Sequence, residues 1–293
     1  MDRGAHLSHL FCFGLGYTAR RLAERCAAAG WTVAGTVRTA EDAAELSAAG
    51  FRMPLWDGVS PLPSEAFAAA THMLVSVPPD GDGDPVLRCN GAALARHAAR
   101  LRWLGYLSTT GVYGDRGGGW VDEDSELAPT TGRGRRRLAA EQAWLRLHAD
   151  AGLPLHVFRL AGIYGPGRNA LADLQAGRAR RIIKSGQVFS RIHVDDIVGA
   201  LAASMAAPRP GRIYNVCDDE PAPPQDVVAY AAGLLGVPAP PEEPFAATNL
   251  SEMALSFYAE SKRVSNARLK DELGYRLRYP TYRDGLTALL PRP

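Results

Sequence analysis

The stretch Gly14-Leu15-Gly16-Tyr17-Thr18-Ala19 decides how this 293-residue sequence folds. It stands between a short apolar run, Leu7 to Phe13, and an alanine-rich amphipathic run, Thr18 to Ala29, closed by Gly30. A strand, a glycine turn and a helix in that order make a G-x-G-x-x-A phosphate cradle. Gly14 permits the tight turn, Gly16 lets the main chain approach a pyrophosphate with no Cβ in the way, and Ala19 keeps helix and strand close. Leu15, Tyr17 and Thr18 supply the rest of the cradle, and the open N–H groups at the helix start attract the phosphates.

Working outward, Thr32 to Val37 reads as a β-branched strand and Thr39 to Ala49 as a capped helix ended by Gly50. A short strand follows near Phe51 to Leu55, then one at Met73 to Val77, a helix from Pro85 to Arg100 and a strand from Trp103 to Ser108. Gly114 to Thr131 is a polar, glycine-rich loop, followed by a long helix from about Gly134 to Ala151 and a strand from Leu155 to Leu160. Repeated strand–helix–strand order with glycine at helix ends predicts an α/β fold, a Rossmann doubly wound parallel sheet with helices on both faces. The expected division is a dinucleotide-binding domain over residues 1–165, its sheet completed by about 190–216, with residues 166–293 mainly a smaller substrate-binding annex. Proline clusters at 221–224 and 238–244 fit loops between small units there.

Composition narrows the function. Thirty-three basic and 31 acidic side chains leave a formal net charge of +2, so no overall field favours nucleic acid or an anionic membrane. Four scattered cysteines, Cys12, Cys26, Cys89 and Cys217, form no C-x-x-C pair and suit reduced thiols. No apolar run approaches the roughly 20 residues a bilayer span needs, and the N-terminus lacks the pattern of a signal peptide. A cytoplasmic protein without nucleic-acid or membrane partners is the expectation.

At the end of the second strand stands Arg38, where an NAD-selective site usually carries Asp or Glu. A guanidinium can pair with a 2′-phosphate and stack on adenine. The expected coenzyme is therefore NADP, with NAD less favoured.

Further motifs appear in order: Ser76-Val77-Pro78-Pro79, Ser108-Thr109-Thr110-Gly111-Val112-Tyr113-Gly114, the Arg159 to Gly167 run, Ile192-His193-Val194-Asp195-Asp196 and Tyr214-Asn215-Val216. With the cradle, this series resembles the extended short-chain dehydrogenase/reductases of the NAD-dependent epimerase/dehydratase superfamily across nearly the whole chain. The resemblance implies that Asp57 contacts the adenine amine and that Ser76, Val77 and Pro78 lie along the cofactor with Ser108. It also implies that the Arg159 to Ile163 segment, with Leu160, Ala161 and Ile163, lies beside the nicotinamide. Thr109 matches the catalytic Ser/Thr, whose hydroxyl holds a substrate oxygen.

One departure stands out. The family begins its long helix with Tyr-x-x-x-Lys, one turn placing both side chains on one face. Here aligning Leu138-Ala139-Ala140-Glu141 puts Arg133 at the tyrosine position and Arg137 at the lysine position. Arginine stays protonated near neutral pH and is a poor general base. Arg137 can still bond the nicotinamide ribose, while the acid/base falls to Tyr113, the nearest tyrosine in sequence, or to water. The atypical, bacterial YeeZ-like branch of the superfamily is similar in this loss.

Arg133, Arg168 and Arg191 are candidate substrate contacts. Nucleotide-sugar relatives carry an arginine four residues before His193, where Phe189 stands here, which argues against a diphosphate-sugar substrate. Asp195 or Asp196 is expected to cap a helix, and no spacing of ligands predicts a metal site. The Arg133 to Arg137 run lacks interleaved aromatics and reads as a solvated helix start or an anion contact. Two functions follow: an NADP-dependent oxidoreductase or epimerase acting on a small polar carbonyl or sugar-like substrate, or a non-catalytic dinucleotide-binding sensor. The resemblance also admits a homodimer paired through the long helices.

Overall fold

A computed structural model describes residues 8–291, so the expected strand start at Leu7 lies outside the described residues. The first half runs β1 (His9–Phe13), α1 (Tyr17–Ala28), β2 (Thr32–Gly35), α2 (Ala40–Ala48), β3 (His72–Val75), α3 (Pro85–His97), β4 (Trp103–Thr109), β5 (Trp120–Val121) and α4 (Gly132–Ala151). The second runs β6 (Leu155–Leu160), β7 (Gly162–Tyr164), α5 (Ala170–Gln175), β8 (Arg181–Ile183), β9 (Arg191–His193), α6 (Val194–Ala206), β10 (Ile213–Val216), α7 (Pro224–Leu235), β11 (Glu242–Pro244), α8 (Glu252–Tyr258), β12 (Arg263–Val264), α9 (Ala267–Leu273) and α10 (Tyr282–Ala288).

Six strands form the main sheet in the order β10-β6-β4-β3-β1-β2. The pairs β1–β2, β1–β3 and β3–β4 are parallel, and the whole is a doubly wound parallel sheet flanked by helices. Its middle strands β3 and β6 are buried at every residue, as expected of strands covered on both faces. The chain runs outward from β1 to β2 and then returns to β3, so the order reverses between β1 and β3. Ligands of such sheets bind at the carboxyl ends of the strands at that reversal.

The local signals are visible in the elements. Thr39 caps α2, its hydroxyl accepting from the Asp42 N–H at 3.1 Å. Asp84 caps α3 by accepting from Val86 and Leu87 N–H, and Pro85 fills the first helical position, where its missing N–H costs nothing. The expected strand at Phe51 to Leu55 does not form. Arg52 exchanges backbone hydrogen bonds with Val33 and Gly35, and Val37 with Pro54 and Trp56, giving two separate bridges. Pro54 has no N–H to offer Gly35, so the ladder breaks between them.

By packing, the chain falls into two compact units. Unit 1 comprises residues 1–108, 136–158 and 201–213; unit 2 comprises 109–135, 159–200 and 214–293. Unit 1 is built on an apolar cluster of Phe11, Phe13, Trp56, Phe67, Met73, Leu104, Trp144 and Val157 with their neighbours. Its large buried aromatics keep their polar edges satisfied: Trp144 donates to Asp84 and Trp103 to Ser204, each at 3.0 Å. Unit 2 has its own smaller cluster, including Tyr164, Leu171, Val227, Ala231, Tyr282 and Leu286. Among the described residues, no helix is long and apolar enough to cross a membrane.

Candidate functional site

In unit 1 the cradle follows β1 at the reversal point. Gly14 has φ +82°, and a Cβ there would stand 2.9 Å from Val77 Cγ2 and 3.1 Å from Ser76 Oγ. Both the backbone conformation and the close approach therefore require glycine. The turn is held from two sides: Gly14 N–H donates to Thr36 Oγ1 at 2.8 Å, and Ser76 Oγ donates to the Gly14 carbonyl at 2.6 Å. Ser76 and Val77, expected along the cofactor, thus meet the glycine turn directly, with Pro78 exposed beyond them.

Gly16 is different. It is exposed, it precedes α1 with no side-chain cap, and a Cβ built on it meets nothing within 4 Å. The first helical bond runs from Arg20 N–H to the Gly16 carbonyl, so the N–H groups before Arg20 at the mouth of α1 have no partner within the helix. Leu15 is tied away by its bond to Thr36, Thr18 and Ala19 are buried beneath the turn, and the Tyr17 ring carries Arg21 above it. A helix N-terminus without a side-chain cap, beside free space at Gly16, suits a diphosphate.

The remaining unit 1 candidates are firmly placed. Ser108 donates to Glu141 Oε2 at 2.7 Å, both side chains being buried. Arg137 donates through Nη1 to the Leu107 carbonyl and to Tyr106 Oη, with its guanidinium over the Tyr106 ring. Asp57 is exposed and accepts from the N–H groups of Val59 and Ser60, which hold its carboxyl below the usual range.

In unit 2, Thr109 Oγ1 accepts from Gly111 N–H at 3.2 Å and caps the short turn Thr110–Tyr113. Tyr113 is fully buried, donates to Asn215 Oδ1 at 2.7 Å and accepts from Arg159 Nη1 at 2.9 Å. Burial pushes its phenol up to about 12, the Arg159 charge opposing. A phenol enclosed and bonded on both sides holds a turn together; it has no open face from which to pass a proton to a substrate. Arg133, exposed at the start of α4, lies over the half-exposed Phe257 ring at 5.4 Å. Leu160 and Ala161 are buried and Ile163 partly so, while Arg168 sits exposed in the turn after β7, its N–H bonded to the Gly165 carbonyl.

The expected aspartate cap on α6 takes another form. His193 Nδ1 accepts from Asp195 N–H, so the histidine does the capping. Asp196 is fully buried and accepts from Tyr275 Oη and from the N–H groups of Arg278 and Tyr279, binding that C-terminal segment to α6. Arg191 Nη1 donates to the carbonyls of Phe189 and Ala222. Among the buried carboxyls that the sequence did not single out are Glu123, which accepts from Asn215 N–H at 2.7 Å, and Asp218, 1% exposed. Both sit in polar loop sequence that resembles solvated turns, so only burial reveals them. Among the described residues, no three His, Cys, Asp or Glu side chains gather as a metal site.

Comparison with known proteins agrees with this geometry. Residues 91–217 match the NAD dependent epimerase/dehydratase family. Protein YeeZ of Escherichia coli (strain K12) is 30% identical over 281 residues, 91% of this chain and 94% of that one. The chain belongs to the NAD-dependent epimerase/dehydratase superfamily, in its YeeZ-like branch. A 3-diazoavenalumate denitrifying reductase of Streptomyces sp is 32% identical over 238 residues, 74% of this chain and 76% of that one. Among solved structures, a conserved protein of unknown function from Silicibacter pomeroyi DSS has 55% identity and a TM-score of 0.89, covering 96% of this chain and 98% of its own.

The coenzyme expectation needs correction. UDP-glucuronic acid 4-epimerase of Bacillus cereus, of the same fold at 16% identity, TM-score 0.74 and 96% coverage of each chain, was solved with NAD. So was dTDP-glucose 4,6-dehydratase of Bacillus anthracis str. Ames, at 16% identity, TM-score 0.75 and coverage of 97% and 95%. NADP in preference to NAD does not stand. Arg38 offers the physical reason: it is exposed and, among the described residues, makes no hydrogen bond or ion pair that would aim its charge at a 2′-phosphate. Membership in a family of NAD-dependent enzymes supports an enzymatic role in general.

Proposed function

We propose that this chain is an NAD-dependent oxidoreductase or epimerase that acts on a small polar carbonyl or sugar-like substrate without the Tyr-x-x-x-Lys pair. The observation that carries the reading is the cradle: glycine required at position 14, and free space at Gly16 where the helix starts without a side-chain cap. When bound, NAD supplies the hydride acceptor or donor. The chain's own residues would do the rest. Main-chain N–H groups at the start of the first helix, from Gly16 onward, grip the diphosphate, and Arg137 keeps donors beyond its bonded Nη1 for a ribose hydroxyl. Thr109 holds the substrate oxygen through its hydroxyl. Arg133 presents a permanent positive charge where relatives have a phenol, so it stabilises negative charge on the substrate but moves no proton. The Streptomyces relative, named as a reductase, supports hydride transfer as the chemistry.

A second reading, a non-catalytic NAD-binding sensor, is favoured by the enclosed Tyr113 hydroxyl, since no residue then replaces the missing acid. One experiment separates the two. Protein with NAD bound is incubated with alcohols and sugars while coenzyme reduction is followed, and protein with NADH bound is incubated with carbonyl compounds while coenzyme oxidation is followed. The sugars are resolved afterwards to detect epimerisation. Turnover that falls at least about tenfold in Thr109→Ala, with NAD affinity kept, supports the enzyme; NAD binding with no turnover across the panel supports the sensor.

A further inference from the structure

The acid that the second reading takes to be missing has a candidate near the far end of the chain. Of the 33 basic side chains three are lysines, Lys184, Lys262 and Lys270. The difference is chemical, because an ammonium can give up its proton near neutral pH and a guanidinium cannot. An alkylammonium and a phenol are acids of similar strength in water, at about 10.4 and about 10. Lys184 bonds to the Tyr258 carbonyl, and Lys270 pairs with Asp219 at the half-exposed surface. Lys262 is different. Its side chain and that of its partner Glu260 are 11% and 9% exposed, with Nζ 2.7 Å from Glu260 Oε2. A buried ion pair gains little stability over apolar side chains, so its presence needs another reason.

Its setting supplies one, entirely within unit 2. The segment from Phe257 to Lys262 meets the start of α4 twice. Phe257 lies under the Arg133 guanidinium, at the position where the family carries its tyrosine. Glu260 Oε1 accepts from Thr130 Oγ1 at 2.9 Å, and Thr130 is exposed, so the Glu260–Lys262 pair lies one side chain below the surface. The same helix start reaches the turn that Thr109 caps. A Cβ on Gly134 would stand 2.9 Å from the Gly111 carbonyl oxygen and 2.9 Å from Pro129 Cβ, an approach that only glycine allows.

The lysine stem is held on both sides. Ser261 N–H donates to Asp115 Oδ1 at 2.7 Å, the Ser261 carbonyl accepts from Arg116 and Gly118 N–H, and Arg263 N–H donates to the Gly119 carbonyl. Among the described residues the Lys262 ammonium makes one hydrogen bond, which leaves two of its three N–H donors for a ligand.

We propose that Lys262 is the catalytic acid of this chain, protonating the oxygen of a carbonyl substrate in place of the missing tyrosine, with Glu260 and Thr130 as its positioning residues. This rests on the proposed reading of the chain as an enzyme. In the reductive direction the carbonyl carbon receives a hydride, with its electron pair, from NADH. The C=O π pair moves to oxygen, and an N–H bond of Lys262 breaks as the O–H bond forms. The coenzyme is oxidised, the carbonyl becomes an alcohol, and the neutral amine regains a proton from water.

The test uses the full chain with D-glyceraldehyde, dihydroxyacetone and benzaldehyde as probes, NADH oxidation giving kcat and KM. Lys262→Arg keeps the charge and the Glu260 pair but removes the transferable proton. Its kcat should fall at least about 100-fold, with KM and NAD affinity within about threefold. A variant carrying both Lys184→Arg and Lys270→Arg should keep the parent kcat. It also identifies the Lys262 ammonium in magnetic resonance spectra of protein with isotope-labelled lysine, as the one lysine signal that survives. That signal should shift when the probe that is turned over saturates the NAD-loaded protein, which has no hydride to transfer. Should Lys262→Arg fail to fold, this signal decides. Lys262→Arg as active as the parent, or a Lys262 signal unmoved at saturation, overturns the inference and leaves the enzyme reading standing. No NADH oxidation with any probe by the unaltered protein overturns that reading and the inference with it.

Discussion

Unit 1 and unit 2 handle buried polar groups differently. Unit 1 settles several of them in pairs, Trp144 with Asp84, Trp103 with Ser204 and Ser108 with Glu141, while burial keeps His72 and His156 uncharged and leaves His156 Nδ1 and Asn90 Nδ2 without a hydrogen-bond partner. The feature proposed to bind coenzyme there is main chain, at Gly14 and Gly16. Unit 2 buries charged side chains in wider networks, with Arg159 on Tyr113, Tyr113 on Asn215, Asn215 on Glu123, and Asp196 on the 275–279 segment. Main-chain recognition depends on a few glycines and tolerates change around them. A side-chain network depends on which residues fill it, so a single substitution leaves a buried donor or acceptor unmatched.

The sharpest way to break this contrast is Gly16→Val, which the helix backbone accepts but which puts a side chain into the phosphate space. NAD affinity should fall at least about 100-fold, near 2.7 kcal/mol, with little change in Tm. Calorimetry showing unchanged affinity would remove the cradle from coenzyme binding.

Next in size is Tyr113→Phe in unit 2. Removing the hydroxyl strands a buried Arg159 donor and the Asn215 acceptor, at a cost of about 1–3 kcal/mol, read from denaturant melts. The kcat should hold within about threefold. A fall of a hundredfold or more in a variant as stable as the parent would make Tyr113 the missing acid.

The units should also respond to pH with opposite signs. Burial lowers His72 and His156 to about 4, so the unfolded chain takes up those protons first. Stability from these histidines is complete above their ordinary value near 6.5 and is lost as pH falls towards 4. Burial raises Asp218 to about 8, with Arg191 opposing. There the unfolded chain loses the proton first, so stability declines as pH rises from about 4 to 8. Each group contributes at most about 1.4 kcal/mol per pH unit. Thermal melts should show Asp218→Asn gaining more at about pH 8.5 than at about pH 5, and His156→Gln gaining at the acid end only. Parallel shifts at both ends would refute the assignment.

Smallest is Arg38→Ala, expected to change NAD affinity less than about twofold, since the side chain is exposed and untethered. A large loss confined to NADP would restore the coenzyme preference corrected above.

Much of unit 1 could be read from residues alone. Thr39 before its helix, Asp84-Pro85 before the next, and the glycines at 14, 16, 30 and 50 act within a few positions of themselves, and the elements follow them closely. The strand at Phe51 to Leu55 failed because one proline withdrew one N–H, an effect that appears only once Gly35 is known to lie opposite. Arg133 and Arg137 were likewise legible as a substitution in a motif, while the enclosure of Tyr113 was not: its partners Arg159 and Asn215 lie 46 and 102 residues away.

The amino-acid order by itself therefore determined the alternation of strands and helices, the glycine turn after β1 and the loss of the tyrosine–lysine pair. These depend on periodicity and on backbone freedom, which are local. Tertiary structure alone decided that Asp196 ties the C-terminal segment, that Tyr113 is closed off, and that Asp218 is buried with its oxygens unmatched. Burial and pairing are set by residues distant along the chain, and a polar loop residue reads the same in sequence whether water or protein surrounds it.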